Sequence, residues 1–531
     1  ASKSESDNMT KYVVNRLLRG FLSVAIMVVI VMVMIFTLMD RQLIFASDPL
    51  FSKKTFNAKE TYMYSKWEEY GYLDYVTYAD YLLQLTKDGT ITEETRADAV
   101  KLGRTPDKDS ELTAQYVKQF QEYYTSKGYE VKRLDTKMNG KKVANGGQAA
   151  LFAAKDKPIW DRAIHYFTGL LEFDNIHRVQ EDIGQRKLTF TLHDPVYGGE
   201  KFSPAILGNG TDHKYLMYCD SNFPYIHQNF LTLHLGKSFV VNQGIDVFDT
   251  MTRSQGGYVT STITYPTGLV EESADDLHSA TYVAGSLEVG ELLYGTRFND
   301  DYTQTGIVKN GSSKMGYSFL FGILAVALAY VIGLPLGVLM ALKADTWIDK
   351  LGTFYIVFIT AVPSLSYIFM VKTLGYAMGI PTTFDLESTN KMMYVLPIIS
   401  LAMPSVARLM RWMRRYMIDQ KNSDYVRFAR SNGLTEGEIF RKHIMRNAVV
   451  PIVQGIPASV LFSLVGAFYT EKVYAIPGTG GLMVTAIQTY DNNVIVGVCL
   501  FYGLLSVVSL VLGDVLMAMV DPRISFNTKA R

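Results

Sequence analysis

Cysteine is nearly missing from this chain: Cys219 and Cys499 are the only two in 531 residues. That excludes a disulfide framework and a cysteine-built zinc site. Charge of one sign is also missing, with Lys plus Arg at 52, Asp plus Glu at 51 and a formal net charge of +1. A protein that works on nucleic acid carries a basic footprint, so no nucleic-acid partner is expected. Between Asp40 and about Lys314 no uncharged run is long enough to cross a bilayer. The chain holds neither a Gly-x-Ser-x-Gly elbow nor a His-Glu-x-x-His helix, and with them go two common hydrolytic chemistries.

What is present divides the chain between lipid and water. Hydrophobic residues make up 48% and charged ones only 19%, and mean hydropathy is +0.08. Gly20 to Met39 is an uncharged run that ends at Asp40, and its 20 residues span ~30 Å of hydrocarbon as a helix. Its core is too long and bulky for a cleaved secretory signal. Five more apolar segments follow the polar stretch, at Met315–Leu342, Leu351–Val371, Met392–Ala407, Asn447–Thr470 and Asn492–Gly513. The runs hold no Asp, Glu, Lys or Arg, and Pro363 is expected to kink the second of the five. The expected fold is a membrane α-helical protein of six transmembrane helices, with a mixed α/β domain inserted between the first two. Helix-favouring residues lie in Lys87–Thr125, and alternating β-branched stretches at Lys187–Leu192 and Tyr258–Tyr265.

Short basic segments remain on the cytoplasmic side of a membrane. Lys11, Arg16 and Arg19 precede the first run, and Arg408 to Arg446 holds the densest basic stretch. Six spans place both, and the C-terminal tail, inside, with 40–314 outside at the cell membrane. The resulting division is 1–8 as an expression remnant before Met9, 9–39 as N-terminus and first span, 40–314 as extracellular domain, 315–525 as transmembrane core with a cytoplasmic loop at 408–447, and 526–531 as tail.

Several local patterns lead nowhere. Gly236-Lys237-Ser238 lacks the upstream glycine of a phosphate loop, since Leu231 stands there. Gly478-Thr479-Gly480-Gly481 follows Pro477 and reads as a membrane-edge turn rather than a dinucleotide fingerprint. His227 and His234 have no partner at metal-ligand spacing in the sequence, so no metal site and no catalytic residue are expected. The stretch 408–451 is different. Asp424 to Ser431 reads as a helix closed at Gly433, where a left-handed cap is cheap. Thr435 is the N-cap of a second helix, with Glu438 at the capping-box position, and Pro451 marks entry into the next span. Two short helices meeting at Gly433 form a projecting elbow.

This elbow resembles the coupling loop of ABC importer permeases of the dipeptide and oligopeptide branch, which reads Asp-Tyr-Val-Arg-x-Ala-Arg-x-x-Gly-Leu and then Arg-Asn-Ala and Pro. Here these stand at Asp424 to Leu434, Arg446-Asn447-Ala448 and Pro451. Leu334-Pro335-Leu336-Gly337 with Asp349, the turn Glu471 to Gly480, and Asp521-Pro522-Arg523-Ile524 resemble further family signatures. Asn229 to Ser238 is similar to the short segment before span two. About 180 extra residues at roughly 41–220 depart from ordinary members and are similar to the Ami-type oligopeptide permeases of Gram-positive bacteria.

The resemblance implies a non-catalytic membrane subunit of an ATP-driven peptide importer. It would pair with a second homologous permease and two cytoplasmic ATPases, which bind the ATP and Mg, while an extracellular peptide-binding lipoprotein delivers the peptide substrate. Coupling would fall to Asp424, Tyr425, Arg427, Ala429, Arg430, Gly433, Leu434 and Glu436. The turn after helix five would use Glu471, Pro477, Gly478 and Gly480. Tyr355, Thr360, Ser364 and Tyr367 either line the path or pack against neighbouring helices. The aromatic patch Phe223-Pro224-Tyr225 either docks the lipoprotein or packs in the core of the outer domain. Two other classes compete: an ion-coupled secondary transporter, which the uncharged runs disfavour, and a membrane-anchored receptor, which needs only one span.

Overall fold

The computed structural model describes residues 3–101, 110–135, 137–138, 141–142, 147–194, 202–219, 226–253, 255, 261–264, 270–273, 281–282, 298–299 and 312–520. The Phe223–Tyr225 patch and the 521–524 signature lie outside them.

Helix α1 (Lys3–Leu38) carries the first apolar run. It stops where Asp40 turns its carboxylate back to the amide of Gln42 and opens a 3-10 turn, Arg41–Phe45. The polar segment that follows holds a three-stranded antiparallel sheet with Leu151–Asp156 in the middle, between Leu73–Thr77 and Glu130–Arg133. Helices Phe56–Glu69, Tyr78–Lys87, Glu93–Ala99 and Glu111–Ser126 surround it. The predicted helical stretch thus resolves into two helices. The alternating stretches hold strands Lys187–Thr191 and Ser261–Thr264, the former at the edge of a four-stranded sheet with Ala205–Asn209, Tyr215–Cys219 and Ile226–Gln228.

Tyrosine, 34 in the chain, does much of the packing here. Tyr64, Trp67, Tyr75 and Phe152 form one buried cluster, and Tyr78, Tyr81, Phe120 and Tyr124 another. Ring pairs such as Tyr64–Phe152 at 4.7 Å and Phe120–Tyr124 at 4.8 Å add to area burial, each by about 0.5–1.5 kcal/mol. Tyr78 satisfies its hydroxyl on the Ala99 carbonyl at 2.7 Å, which is what lets so polar a residue sit fully buried.

Helix α2 (Lys314–Leu342) lies along α5 (Val395–Lys421), and small residues allow the approach. A Cβ on Gly333 would stand 3.1 Å from Leu409 Cβ, and one on Gly337 2.8 Å from Met413 Cβ. This four-residue spacing of glycines brings two backbones together where no hydrophobic driving force between helices exists. It gives the Leu334-Pro335-Leu336-Gly337 signature a packing reason, and Pro335 sits inside the helix. Phe321, Phe384 and Tyr394 close the other end of this core.

Three expectations change. The run Leu351–Val371 is not one kinked helix: α3 (Trp347–Ala361) and α4 (Ser364–Ala377) meet at 113°. Pro363 occupies the N-cap of α4, where its missing N–H costs nothing and Val362 before it is held extended. The run Met392–Ala407 is not a short span followed by a loop. Its helix α5 continues through the basic residues to Lys421, since Arg and Lys are good helix formers, and Arg408 is therefore the fourteenth of 27 helical residues. The helix is thus not free of charge, although the run Met392–Ala407 within it is. Third, no helix begins at Pro451, which lies inside one. The second limb of the elbow runs on as α7 (Arg446–Gln454), and the bend of 48° comes at Gly455, before α8 (Ile456–Tyr474).

Helix α9 (Thr479–Thr489) and the long α10 (Asn492–Val520) complete the described chain, with α1 packed along α10. Among the described residues four helices are long and apolar enough to cross a membrane, and up to six if each bent pair is one span.

Candidate functional site

The elbow begins with α6 (Asp424–Ser431), whose Val426 and Ala429 are buried in the main core together with Met413 and Met417 of α5. Its end is a Schellman closure: Leu434 N–H donates to Ala429 O at 3.3 Å and Gly433 N–H to Arg430 O at 3.1 Å. That pattern requires a left-handed residue, and Gly433 has φ +80°. Nothing lies within 4 Å of where its Cβ would be, so the backbone alone demands glycine. Thr435 then caps the second limb with the reciprocal Glu438 box. Arg430 clasps Glu436 through two nitrogens, at 2.6 and 3.2 Å, and Arg427 reaches Asp424 at 3.5 Å. Both pairs are exposed and screened by water, so they orient the limbs more than they stabilise them.

Tyr425 ties the limbs to each other and to α5. Its hydroxyl donates to Gln420 and accepts from Asn447 Nδ2 at 2.9 Å. The limb after Glu438 is π-helical over Ile439–Met445, a wide turn of the kind found at functional sites. Ile439 and Ile444 bury themselves in the same core as Val426. Leu434 packs against that core from the turn. Phe428, by contrast, is 68% exposed. The elbow is therefore a rigid projection fixed to α5, with an aromatic ring and an open glycine turn outward. The motif marks the residues around the turn but not Phe428, which stands at its open position between Arg427 and Ala429.

The second signature works differently. Glu471 is 1% exposed and sits at the entrance to α9, accepting Ser318 Oγ–H at 2.6 Å and Gly481 N–H at 2.8 Å. A carboxylate at a helix N-terminus answers the unpaired amides there. The glycines make room for it: a Cβ on Gly478 would fall 2.3 Å from the Glu471 carboxyl, and one on Gly480 2.4 Å from Phe468 Cδ1. Pro477 leads into the turn, its carbonyl accepting from Gln255 at 3.0 Å. Ser318 was not legible beforehand, since it lies 153 residues from Glu471.

The four candidates for the path are spread out. Tyr355 lines an apolar groove of about 510 Å³ between α2, α3 and α5, its hydroxyl donating to Met403 O at 3.0 Å. Thr360 donates to Ile356 O and accepts from Arg411 at 2.8 Å. Ser364 opens α4 at the break, and Tyr367 is buried in the main core. His234 lies between Glu172 at 2.8 Å and Asp246 at 3.6 Å, and no metal-holding group of three ligands occurs among the described residues.

Residues 333–526 match the family model described as the binding-protein-dependent transport system inner membrane component. The oligopeptide transport system permease protein AmiC of Streptococcus pneumoniae is 31% identical over 528 residues, 98% of this chain and 99% of that one. The dipeptide transport system permease protein DppB of Bacillus subtilis is 32% identical over 215 residues, 40% of this chain and 68% of that one. With so full a match to AmiC, extra polar segment included, this chain belongs to the permease family of ABC importers, as an Ami-type oligopeptide permease.

Proposed function

We propose that this chain forms half of the translocation path of an ATP-driven oligopeptide importer, paired with a second homologous permease, and couples that path to two ATPases through the elbow at Gly433. The chain would be oriented with both termini and the elbow in the cytoplasm and residues 40–314 outside, where a peptide-binding lipoprotein delivers substrate. ATP and Mg would bind on the ATPases alone. Asp424, Tyr425, Arg427, Ala429, Arg430, Gly433, Leu434 and Glu436 would build the contact, and Phe428 would insert into the ATPase.

The observation that carries this reading is the exposed Phe428 on a helix whose other face is buried among α5 residues. A ring left in water beside a braced turn has the character of an interface anchor. A rigid elbow also transmits displacement to α5 and, through α7, to the bend at Gly455. Glu471, Pro477, Gly478 and Gly480 would serve the path indirectly, by fixing the start of α9. Tyr355, Thr360, Ser364 and Tyr367 would shape α3 and α4 at the path's edge.

The test is copurification of the tagged chain with its ATPases from membranes. Wild type retains them in stoichiometric amount, and Phe428→Ala loses most of them while still inserting with the second permease. Full retention by Phe428→Ala would show that the ATPase docks elsewhere. Single cysteines at Gly89 and Ser423, with Cys219 and Cys499 replaced, should react oppositely with an impermeant thiol reagent on intact cells.

A further inference from the structure

One cavity is separate from the elbow, from the Glu471 turn and from the apolar groove. It measures about 210 Å³ and is lined by Tyr330, Arg408, Trp412, Tyr416, Pro451 and Ser459, among others. Two of its residues come from the middle of their helices. Tyr330 is the seventeenth of the 29 residues of α2, and Arg408 the fourteenth of the 27 of α5. A Cβ on Gly333 would stand 3.1 Å from Leu409 Cβ, so the two helices touch beside the cavity. Arg408 therefore leaves its helix beside Tyr330 of α2, at the point where the apolar run Met392–Ala407 ends.

The chemistry of the wall is one-sided. Arg408, Trp412 and Tyr416 follow one another at four-residue spacing on one face of α5. Arg408 Nη2 donates to Ser405 Oγ at 3.1 Å, which steadies the guanidinium from its own helix. The Trp412 and Tyr416 rings are stacked, 5.5 Å apart at 24°. Tyr330 Oη lies 3.4 Å from both Ser459 Oγ and Ile452 O. Among the described residues of the lining there are one guanidinium, three hydroxyls and an indole N–H, and no carboxylate. Such a wall suits an anion with an adjoining apolar or aromatic body. Trp412 is 39% exposed, so the cavity has a mouth. Pro451 and Gly455 at the other wall belong to the bend between α7 and α8, and α7 is the continuation of the elbow's second limb.

We propose that this cavity holds the C-terminal carboxylate of the peptide in transit, with Arg408 as its ligand and the last side chain laid against Trp412 and Tyr416. The proposal rests on the peptide-import reading above and adds a recognised feature of the substrate. Because α7 forms one wall, movement of the elbow alters the grip, so the carboxylate is held in one state and released in the other.

The experiment uses the full complex in proteoliposomes with saturating lipoprotein. It compares a hexapeptide with a free C-terminus and the same peptide as its C-terminal amide. The lipoprotein's own preference enters wild type and variants equally and cancels in the ratio. Arg408→Gln is expected to lower uptake of the free acid at least tenfold and that of the amide less than twofold, and Arg408→Lys to retain most of the discrimination. Equal loss for both peptides, or no loss for either, overturns the proposal. A loss that appears only in vesicles containing phosphatidylglycerol, whatever the peptide terminus, assigns the cavity to a lipid phosphate and overturns it as well. If Arg408→Gln does not assemble, the ratio is read in a Tyr330→Phe, Ser459→Ala double variant, where a shift of about threefold toward the amide is expected and an unchanged ratio is contrary. Failure of wild type to import either peptide would instead remove the peptide-import reading, and the inference with it.

Discussion

Asp491 receives the Ser238 hydroxyl at 2.6 Å, although 253 residues separate them. The same carboxylate collects the amides of Phe239, Val240 and Val241 at 2.9, 3.0 and 3.1 Å. The next two residues continue the join, Asn492 donating to Tyr72 Oη and Asn493 to Lys237 O. Three successive side chains at the start of α10 thus fasten the polar segment to the membrane helices. Leu235, Val247 and Met251 are buried beside Leu482, Ala486 and Val494 at the same place.

Removing that carboxylate strands several buried donors, each at about 1–3 kcal/mol. Asp491→Ala is therefore expected to cost roughly 3 kcal/mol or more of local stability. Hydrogen exchange should quicken in 236–250 while α2 and α5 remain protected. Unchanged protection in 236–250 would mean that apolar burial alone holds the segment.

Gly433 separates strain from bulk. Its Cβ direction is open, so the backbone's left-handed φ of +80° is the only local obstacle. Asn tolerates that region and Val does not. Gly433→Asn should keep most peptide uptake, and Gly433→Val should lose it while leaving insertion and the polar segment intact. A loss as severe with Asn as with Val would point to steric exclusion by the partner instead.

Asp349 and Arg414 form a two-point pair at 2.6 and 2.7 Å that ties α3 to α5. Asp349 is buried and Arg414 about a third exposed. Losing one partner of a fully buried pair costs 3–5 kcal/mol, and with solvent reaching Arg414 about 2 kcal/mol is expected for Asp349→Ala. An Asp349→Leu, Arg414→Leu double variant should recover most of it. Thermal melts of detergent-solubilised protein compare the three.

Asp174 gives the polar segment an acid limit. Burial works against its carboxylate, but hydrogen bonds from the His213 ring and from the amides of His213 and Asp212 prevail and hold its pKa below the ordinary value. A carboxyl lowered by folding stabilises above its unfolded pKa, and that contribution is lost as pH falls through the folded value. Exchange protection around Asp212 and His213 should drop below about pH 4, and Asp174→Asn should abolish that dependence.

Much of this was legible in the sequence where the signal is local. The elbow's turn, its N-cap and its glycine are set by bonds within ten residues, and their motif marks them. The Glu471 turn was visible as a pattern, but its reason required Ser318 on another helix. Arg408 was read as the start of a loop because a basic residue after a short apolar run looks like the end of its helix. Only the continued helix to Lys421, laid against Gly333 and Gly337, shows that it lies inside a helix and beside Tyr330. Pro363 was read as a kink because sequence cannot tell a bent helix from two helices with proline at the second N-terminus. The Asp491 junction joins residues some 250 positions apart, and no periodicity reports such pairs.

The central claim is that an ATP-driven machine moves peptides through this chain and is engaged at its elbow. The most direct measurement is uptake of a labelled oligopeptide into proteoliposomes holding this chain, its partner permease and the ATPases, with lipoprotein outside and ATP sealed within. Uptake should require hydrolysable ATP, be unaffected by dissipating proton and sodium gradients, and vanish in Phe428→Ala together with peptide-stimulated ATP hydrolysis. Uptake that follows an ion gradient without ATP, or survives loss of the elbow contact, would contradict it.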